Sequence, residues 1–121
     1  MRSGAARRAR RRFGLGADRR LSRRADFELL LRAGVRRSFS GYTFYVARRP
    51  SGAPRLGILI SRKHAREATV RNRIKRYIRE AFRQEQEALG GLDVLVRPPY
   101  GARPGPAMMR RLRELFAKLG P

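Results

Sequence analysis

SRKHAREATVRNRIKRYIREAFR, residues 61–83, is the stretch around which the rest of the chain is organised. It reads as a turn followed by a long amphipathic helix. At about 100° per residue, Val70, Ile74, Tyr77, Ile78, Ala81 and Phe82 fall on one side. Arg71, Asn72, Lys75, Arg76, Arg79 and Arg83 fall on the other, with Arg73 near the border. One face calls for a core. The other is either a solvated face or a surface for a polyanion, and its sign favours the polyanion. A solvated face mixes Glu with Lys so that i,i+4 pairs offset repulsion, whereas here Glu80 stands alone on one flank. Like charges four apart, such as Arg71 with Lys75 and Lys75 with Arg79, cost roughly a few tenths of a kcal/mol per pair. A neutralising partner removes that cost.

The totals point the same way. The chain has 121 residues, which fits one domain, and 41% of them are hydrophobic, enough for a core. Its 31 Lys and Arg against 9 Asp and Glu give a formal charge of +22. Self-repulsion at that charge disfavours the compact state, so a polyanion is the natural partner, nucleic acid first and an anionic membrane surface second. There is no cysteine, hence no disulfide-linked partner and no thiolate metal site, and the single histidine argues against zinc. No apolar run approaches a membrane span, and the basic N-terminus lacks the apolar stretch of a secretory signal. A soluble, cytoplasmic protein is expected.

Residues 1–20 carry eight arginines against Asp18 alone, with Gly4, Gly14 and Gly16. They are expected to form a flexible basic arm, serving as a solubilising tail or adding phosphate contacts, with residues 21–121 as the single domain. Residues 21–32 read as a first helix, with Ser22 as cap, Phe27, Leu30 and Leu31 at helical spacing, and Gly34 as the stop. Phe27 is either core or ligand contact. Residues 35–48 read as a strand in which Gly41 marks a bulge and Phe44 and Val46 face away from Tyr45, with a further strand possible where residues 38–48 bend. Tyr45 is either half of a cross-strand aromatic pair or a ring free to stack on an unpaired base. After a turn at residues 49–53, RLGILIS at 55–61 reads as a central strand, with Gly57 leaving room for close approach of a ligand backbone. His64 reads as a surface residue, since a general base needs an oriented partner and none is placed. LDVLVR at 92–97 is a short strand, and Met108, Met109, Leu112, Leu115, Phe116 and Leu119 form the core stripe of a last helix. The element order implies an α+β arrangement, with helices over one face of a small mixed sheet.

Arg71-Asn72-Arg73-Ile74-Lys75-Arg76, followed by Ile78-Arg79-Glu80-Ala81-Phe82-Arg83, resembles the signature of the bacterial ribonuclease P protein family. The similarity runs from about residue 21 to the C-terminus. The resemblance implies an unusual left-handed β-α-β crossover, in the ribosomal protein S5 domain 2-like manner, and an open sheet face. It implies a protein subunit that binds the ribonuclease P RNA and the 5′ leader of precursor tRNA. Removal of the leader would be endonucleolytic hydrolysis carried by the RNA, with Mg²⁺ held mainly by the RNA, no organic cofactor and no catalytic protein side chain. Arg62, Lys63, Arg71, Asn72, Arg73, Lys75, Arg76 and Arg79 would hold the RNA subunit. Phe27, Leu31 and Tyr45 would line the leader cleft, with Leu31 standing where a second aromatic is common. The alternative is a basic, non-enzymatic ribosomal or structural RNA-binding protein, which has no reason to share the arginine-asparagine-arginine helix together with such a cleft. A metal-independent nuclease is a third reading. No helix-turn-helix spacing supports DNA recognition.

Overall fold

A computed structural model describes residues 20–21, 23–50 and 52–120. The expected arm, apart from Arg20, and the expected cap Ser22 lie outside the described residues. The first helix, α1 (Arg24–Ala33), starts later than its sequence pattern implies, with Arg23 at the N-cap. Leu21 is extended instead, and its N–H donates to the Leu56 carbonyl at 2.8 Å. Asp26 in the first turn and Arg32 in the last both suit the helix dipole. Gly34 ends the helix through its missing side chain rather than a left-handed conformation. Its φ is −72°, and a Cβ would lie 2.6 Å from the Leu30 carbonyl oxygen.

The strand expected over 35–48, with a further one possible where residues 38–48 bend, is a hairpin, β1 (Val35–Phe39) and β2 (Tyr42–Arg48), paired from Phe39 opposite Tyr42 to Val35 opposite Val46. Ser40 (φ 51°) and Gly41 (φ 85°) form its two-residue turn. Positive φ at both central positions is what a tight hairpin of right-twisted strands requires. Gly41 is therefore a turn residue and not a bulge.

Next come β3 (Arg55–Ile58), α2 (Ala68–Leu89), β4 (Leu92–Arg97) and α3 (Pro106–Leu119). The sheet order is β1-β2-β4-β3, with β4 antiparallel to β2 and parallel to β3. β3 is thus an edge strand, and the interior strands are β2 and β4. An apolar run reports burial, and β3 is buried at an edge because other segments cover it. Residues 20–21 lie along its outer side through the Arg20–Leu56 bridge.

α2 spans about 33 Å at 1.5 Å per residue. It buries Ile74, Ile78, Ala81, Phe82 and Leu89, and Gly90 (φ 63°) stops it. α3 starts with Pro106 at its first position, where no N–H is needed, and buries Met108, Leu112, Leu115, Phe116 and Leu119. Both helices pack on one sheet face over Phe44, Val46, Leu56, Val94 and Val96. Phe116 lies edge-on to Phe44 and to Phe82, each at 5.7 Å. The fold is α+β with a mixed sheet, as expected, but α1 sits on the opposite face. There Leu21, Leu30 and Leu95 form a small second cluster, joined by half-buried Phe27, Tyr45 and Leu59.

Candidate nucleic-acid interface

The basic side of α2 divides into groups with protein partners and groups without. Arg71 is half-buried, and its Nη1 donates to the carbonyls of Ala65 and Arg66, both at 2.9 Å. It thereby fastens the preceding loop to the helix. Arg83 donates to both Glu80 oxygens at 2.6 and 3.0 Å and holds that carboxyl below the usual carboxylate range. Arg83 therefore leaves the free cationic face on which its periodicity put it. Asn72, Arg73 and Arg76 are exposed, and with half-buried Lys75 and Arg79 they have no hydrogen bond or ion pair among the described residues.

Two pockets open on these groups. Arg62, Lys63, Arg66, Ala68 and Arg71 line one of about 600 Å³, at the start of α2. No acidic residue occupies the first turn of α2 and no side chain caps it. Four cations against the one carboxylate of Glu67, the N-cap residue, favour an anion beside the helix N–H groups. The second pocket, about 220 Å³, is lined by Arg20, Leu21, Phe27, Leu56, Gly57, Ile58, Lys75 and Arg79. Burial, and then the neighbouring charge of Arg20, pull Arg79 below the usual arginine pKa. An anion placed beside it relieves both effects.

This second pocket joins what the sequence pattern separates. Phe27 comes from the expected leader cleft, and Lys75 and Arg79 come from the expected RNA-binding helix. Gly57 makes the junction possible. A Cβ there would stand 3.0 Å from Phe27 Cε1 and Cζ and 3.0 Å from Leu95 Cδ1. The room at Gly57 is taken by the Phe27 ring and not left for a ligand backbone. Tyr45 lies opposite Leu95 in the β2–β4 register and joins Phe27 in the second cluster. Leu31 is 45% exposed and lines neither pocket.

His64 is a correction: it is buried, at 7% exposure. Its Nδ1 accepts the Ser61 N–H at 2.9 Å, which leaves the proton of the neutral ring on Nε2. That buried donor has no partner. Burial, and then the charge of Arg97, push the pKa below the ordinary 6.5. The ring stacks on Tyr100.

Arg20 was expected only as one cation of the basic arm, and sequence reasoning passed over Arg66, Arg97 and Tyr100. Only Arg66 carried a signal, as a further cation in the quoted stretch. It also passed over the clamp on Asp93. Arg49 Nε and Arg55 Nε each donate to Asp93 Oδ1, and Arg55 Nη2 donates to Oδ2, all at 2.8 Å. The bond to Asp93 raises the Arg55 pKa. These two arginines brace the β3 entry against β4. Among the described residues no three His, Asp or Glu side chains cluster to hold a metal ion, and no helix is long and apolar enough to cross a membrane.

Known proteins share both the sequence and the shape. The family model described as Ribonuclease P matches residues 15–120. The ribonuclease P protein component of Nitrosococcus oceani is 39% identical over 109 residues, covering 88% of this chain and 92% of that protein. The component from Methylococcus capsulatus is 35% identical over 104 residues, covering 84% and 81%. Among solved structures, a Staphylococcus aureus RNase P protein mutant with defective mRNA degradation activity superposes with a TM-score of 0.73 at 26% identity, covering 84% of this chain and 86% of that one. The RNase P protein from Thermotoga maritima gives 0.71 at 27% identity, covering 84% and 98%. With an arginine-asparagine-arginine helix whose Lys75 and Arg79 share a pocket with Phe27, and with relatives matching along most of its length, this chain belongs to the ribonuclease P protein family.

Proposed function

We propose that the chain acts in tRNA 5′ processing as the protein subunit of ribonuclease P, holding the catalytic RNA on one surface and the 5′ leader of precursor tRNA on the other. The single observation that carries this is the 220 Å³ pocket, whose lining combines the Phe27 ring with Lys75 and Arg79. A single strand needs both elements: a flat apolar ring for a base and cations for the phosphates on either side. Duplex RNA offers no free base to such a ring.

The residue roles follow from what each group has left to give. Arg73 and Arg76 are exposed forks suited to bidentate phosphate contact, with Asn72 between them. Arg62 and Lys63 add charge at the start of α2, and Arg71 holds their loop in place while facing the same pocket. Lys75 and Arg79 neutralise phosphates beside the Phe27 ring, and Tyr45 extends the aromatic surface across the sheet. Holding the leader favours precursor over mature tRNA, which has none. In this reading hydrolysis belongs to the RNA, with Mg²⁺ held mainly by RNA phosphates. The protein side chains around both pockets are cationic or apolar and do not fit a divalent cation. Their contribution is to offset repulsion between two RNAs, which lowers the Mg²⁺ concentration needed. A cytoplasmic location fits such a partner.

The test is cleavage of a precursor tRNA at low Mg²⁺ by the protein, by a bacterial ribonuclease P RNA, or by both. Leader release by the mixture alone is expected. Tight RNA binding with no gain in cleavage would instead favour a structural RNA-binding protein.

A further inference from the structure

One aromatic pair contributes to neither pocket. The rings of His64 and Tyr100 stack with centroids 4.6 Å apart and planes 27° apart. The imidazole is buried, while Tyr100 is 67% exposed. One face of the phenol is therefore covered, and much of the ring meets solvent.

A lone exposed tyrosine is ordinary on a protein surface. This one is fixed from several sides. The Gly101 N–H donates to the His64 carbonyl at 3.1 Å, and the Ala102 N–H donates to the Pro99 carbonyl at 3.3 Å. Ser61 pins the imidazole through Nδ1 at 2.9 Å. Beside the ring the surface is open: nothing stands within 4 Å of where a Gly101 side chain would begin. A ring already held in place loses little freedom on binding.

The histidine supplies an independent observation. A buried histidine kept only for hydrogen bonding would have both nitrogens satisfied. Here Nε2 is buried and unpaired, so the imidazole's evident contribution is its flat face beneath Tyr100. Burial and Arg97 keep the ring neutral at pH 7, so the stack is a pair of uncharged aromatics. Cations lie close to it in the chain. Arg62 and Lys63 precede His64 in the chain, Arg66 follows two positions later, and Arg97 is near enough to oppose its protonation. A rigid open ring among cations matches an unpaired nucleobase with its flanking phosphates. An acidic peptide would use the cations but not the ring.

We propose that Tyr100, backed by His64, is a stacking platform for one unpaired nucleobase of the RNA subunit, with Arg62 and Lys63 taking neighbouring phosphates. The choice of the RNA subunit over the leader follows from the chain. His64 sits in the loop that Arg71 fastens to α2, next to the 600 Å³ cationic pocket. The leader pocket is lined instead by Phe27 and β3. The platform rests on the ribonuclease P reading given above.

The experiment is a titration of full-length bacterial ribonuclease P RNA, without precursor tRNA, by wild-type protein and by Tyr100→Phe, Tyr100→Leu and Tyr100→Ala over a range of salt. Tyr100→Ala is expected to bind about five- to twentyfold more weakly, as loss of one stacked base implies. Its plot of log affinity against log salt should run parallel to wild type, because no phosphate contact is lost. Tyr100→Leu keeps an apolar cover on His64 and should bind as weakly as Tyr100→Ala, while Tyr100→Phe should bind like wild type. Wild-type affinity in Tyr100→Ala, or a leucine variant as good as wild type, overturns the platform alone. A loss seen only when precursor tRNA is present overturns the assignment to the RNA subunit. Wild-type protein that fails to bind this RNA overturns the ribonuclease P reading and the platform together.

Discussion

The two faces of the sheet are built to different standards. On the α2 and α3 side, Phe44, Val94, Val96, Ile74, Ile78, Phe82 and Phe116 are all fully buried and interlock through edge-on rings. On the α1 side the buried apolar residues among those described are Leu21, Leu30 and Leu95, and Phe27, Tyr45 and Leu59 are left half-open around them. A closed core on one face supplies stability. The other face is consequently free to keep aromatic rings partly exposed, at the cost of a thinner packing layer. What holds that thinner layer in register is polar: Asp93 projects from β4 at a position in step with Leu95 and is gripped by Arg49 and Arg55.

If the faces divide the work in this way, the closed one should dominate stability. Phe116→Ala removes a ring packed against both Phe44 and Phe82, and is expected to cost about 3–5 kcal/mol, read as a lowered urea midpoint. At temperatures where the variant remains folded, its preference for precursor over mature tRNA should be unchanged. A changed preference in the folded variant would show that the faces are coupled. Asp93→Asn should come next. It keeps the shape but removes the charge from the acceptor that Arg49 and Arg55 share. With the two arginine side chains 28% and 29% exposed, the expected loss is about 2 kcal/mol, near the low end for charge-assisted bonds.

Gly57→Ala separates the faces most sharply. The added methyl meets Phe27 and Leu95 at 3.0 Å, so the aromatic ring must move. Overpacking of this kind costs about 1–2 kcal/mol, less than the Phe116 change. Its effect on recognition should be larger: affinity for precursor tRNA should lose most of its dependence on leader length, while affinity for the RNA subunit stays near wild type. Retention of full leader dependence would place the leader away from the Phe27 ring.

Much of this division was legible in the residues. The alternation of Phe44 and Val46 with Tyr45 put them on opposite faces, and the spacing of Ile74, Ile78 and Phe82 marked the buried side of α2. Those signals are local and periodic. The illegible parts depend on partners distant in sequence. Phe27 reads as core before contact until Gly57 is beneath it. The apolar residues of β3 look the same whether a strand or residues 20–21 lie alongside. A second strand was allowed for, but the turn between the two was hidden because it puts a serine, not only a glycine, at positive φ. Tyr100 lies in a Pro- and Gly-rich segment with no period to read.

Arginine roles were the least legible of all, since an ion pair leaves no periodic trace. Arg76 and Arg83 occupy the same side of α2 by spacing, yet Arg83 is held by Glu80 and Arg76 is free. Arg76→Ala should reduce the slope of log affinity against log salt by about one phosphate's worth. Arg83→Ala should leave that slope near wild type. An equally reduced slope in both variants would show that Arg83 exchanges Glu80 for RNA, and a wild-type slope in both would place Arg76 off the interface.

The smallest expected effect concerns the loop that links the two surfaces, and it is testable because His64 is the only histidine in the chain. Its folded pKa lies below the ordinary 6.5, through burial first and the Arg97 charge second. The unfolded chain therefore takes up this proton before the folded one as pH falls. Where the unfolded state binds more protons, stability rises with pH, so the contribution is fully present above about pH 6.5. It declines on acidification below that value until the folded ring itself protonates. Carboxylates titrate lower, which leaves the upper part of this window to His64 alone. Urea midpoints of wild type should fall between pH 7 and pH 5.5. Those of His64→Asn, whose side-chain oxygen still offers the Ser61 N–H an acceptor, should stay nearly level. A wild-type midpoint that stays flat or rises on acidification would mean that the imidazole is charged beneath Tyr100, and the stack would then have to be read as a cation on an aromatic face.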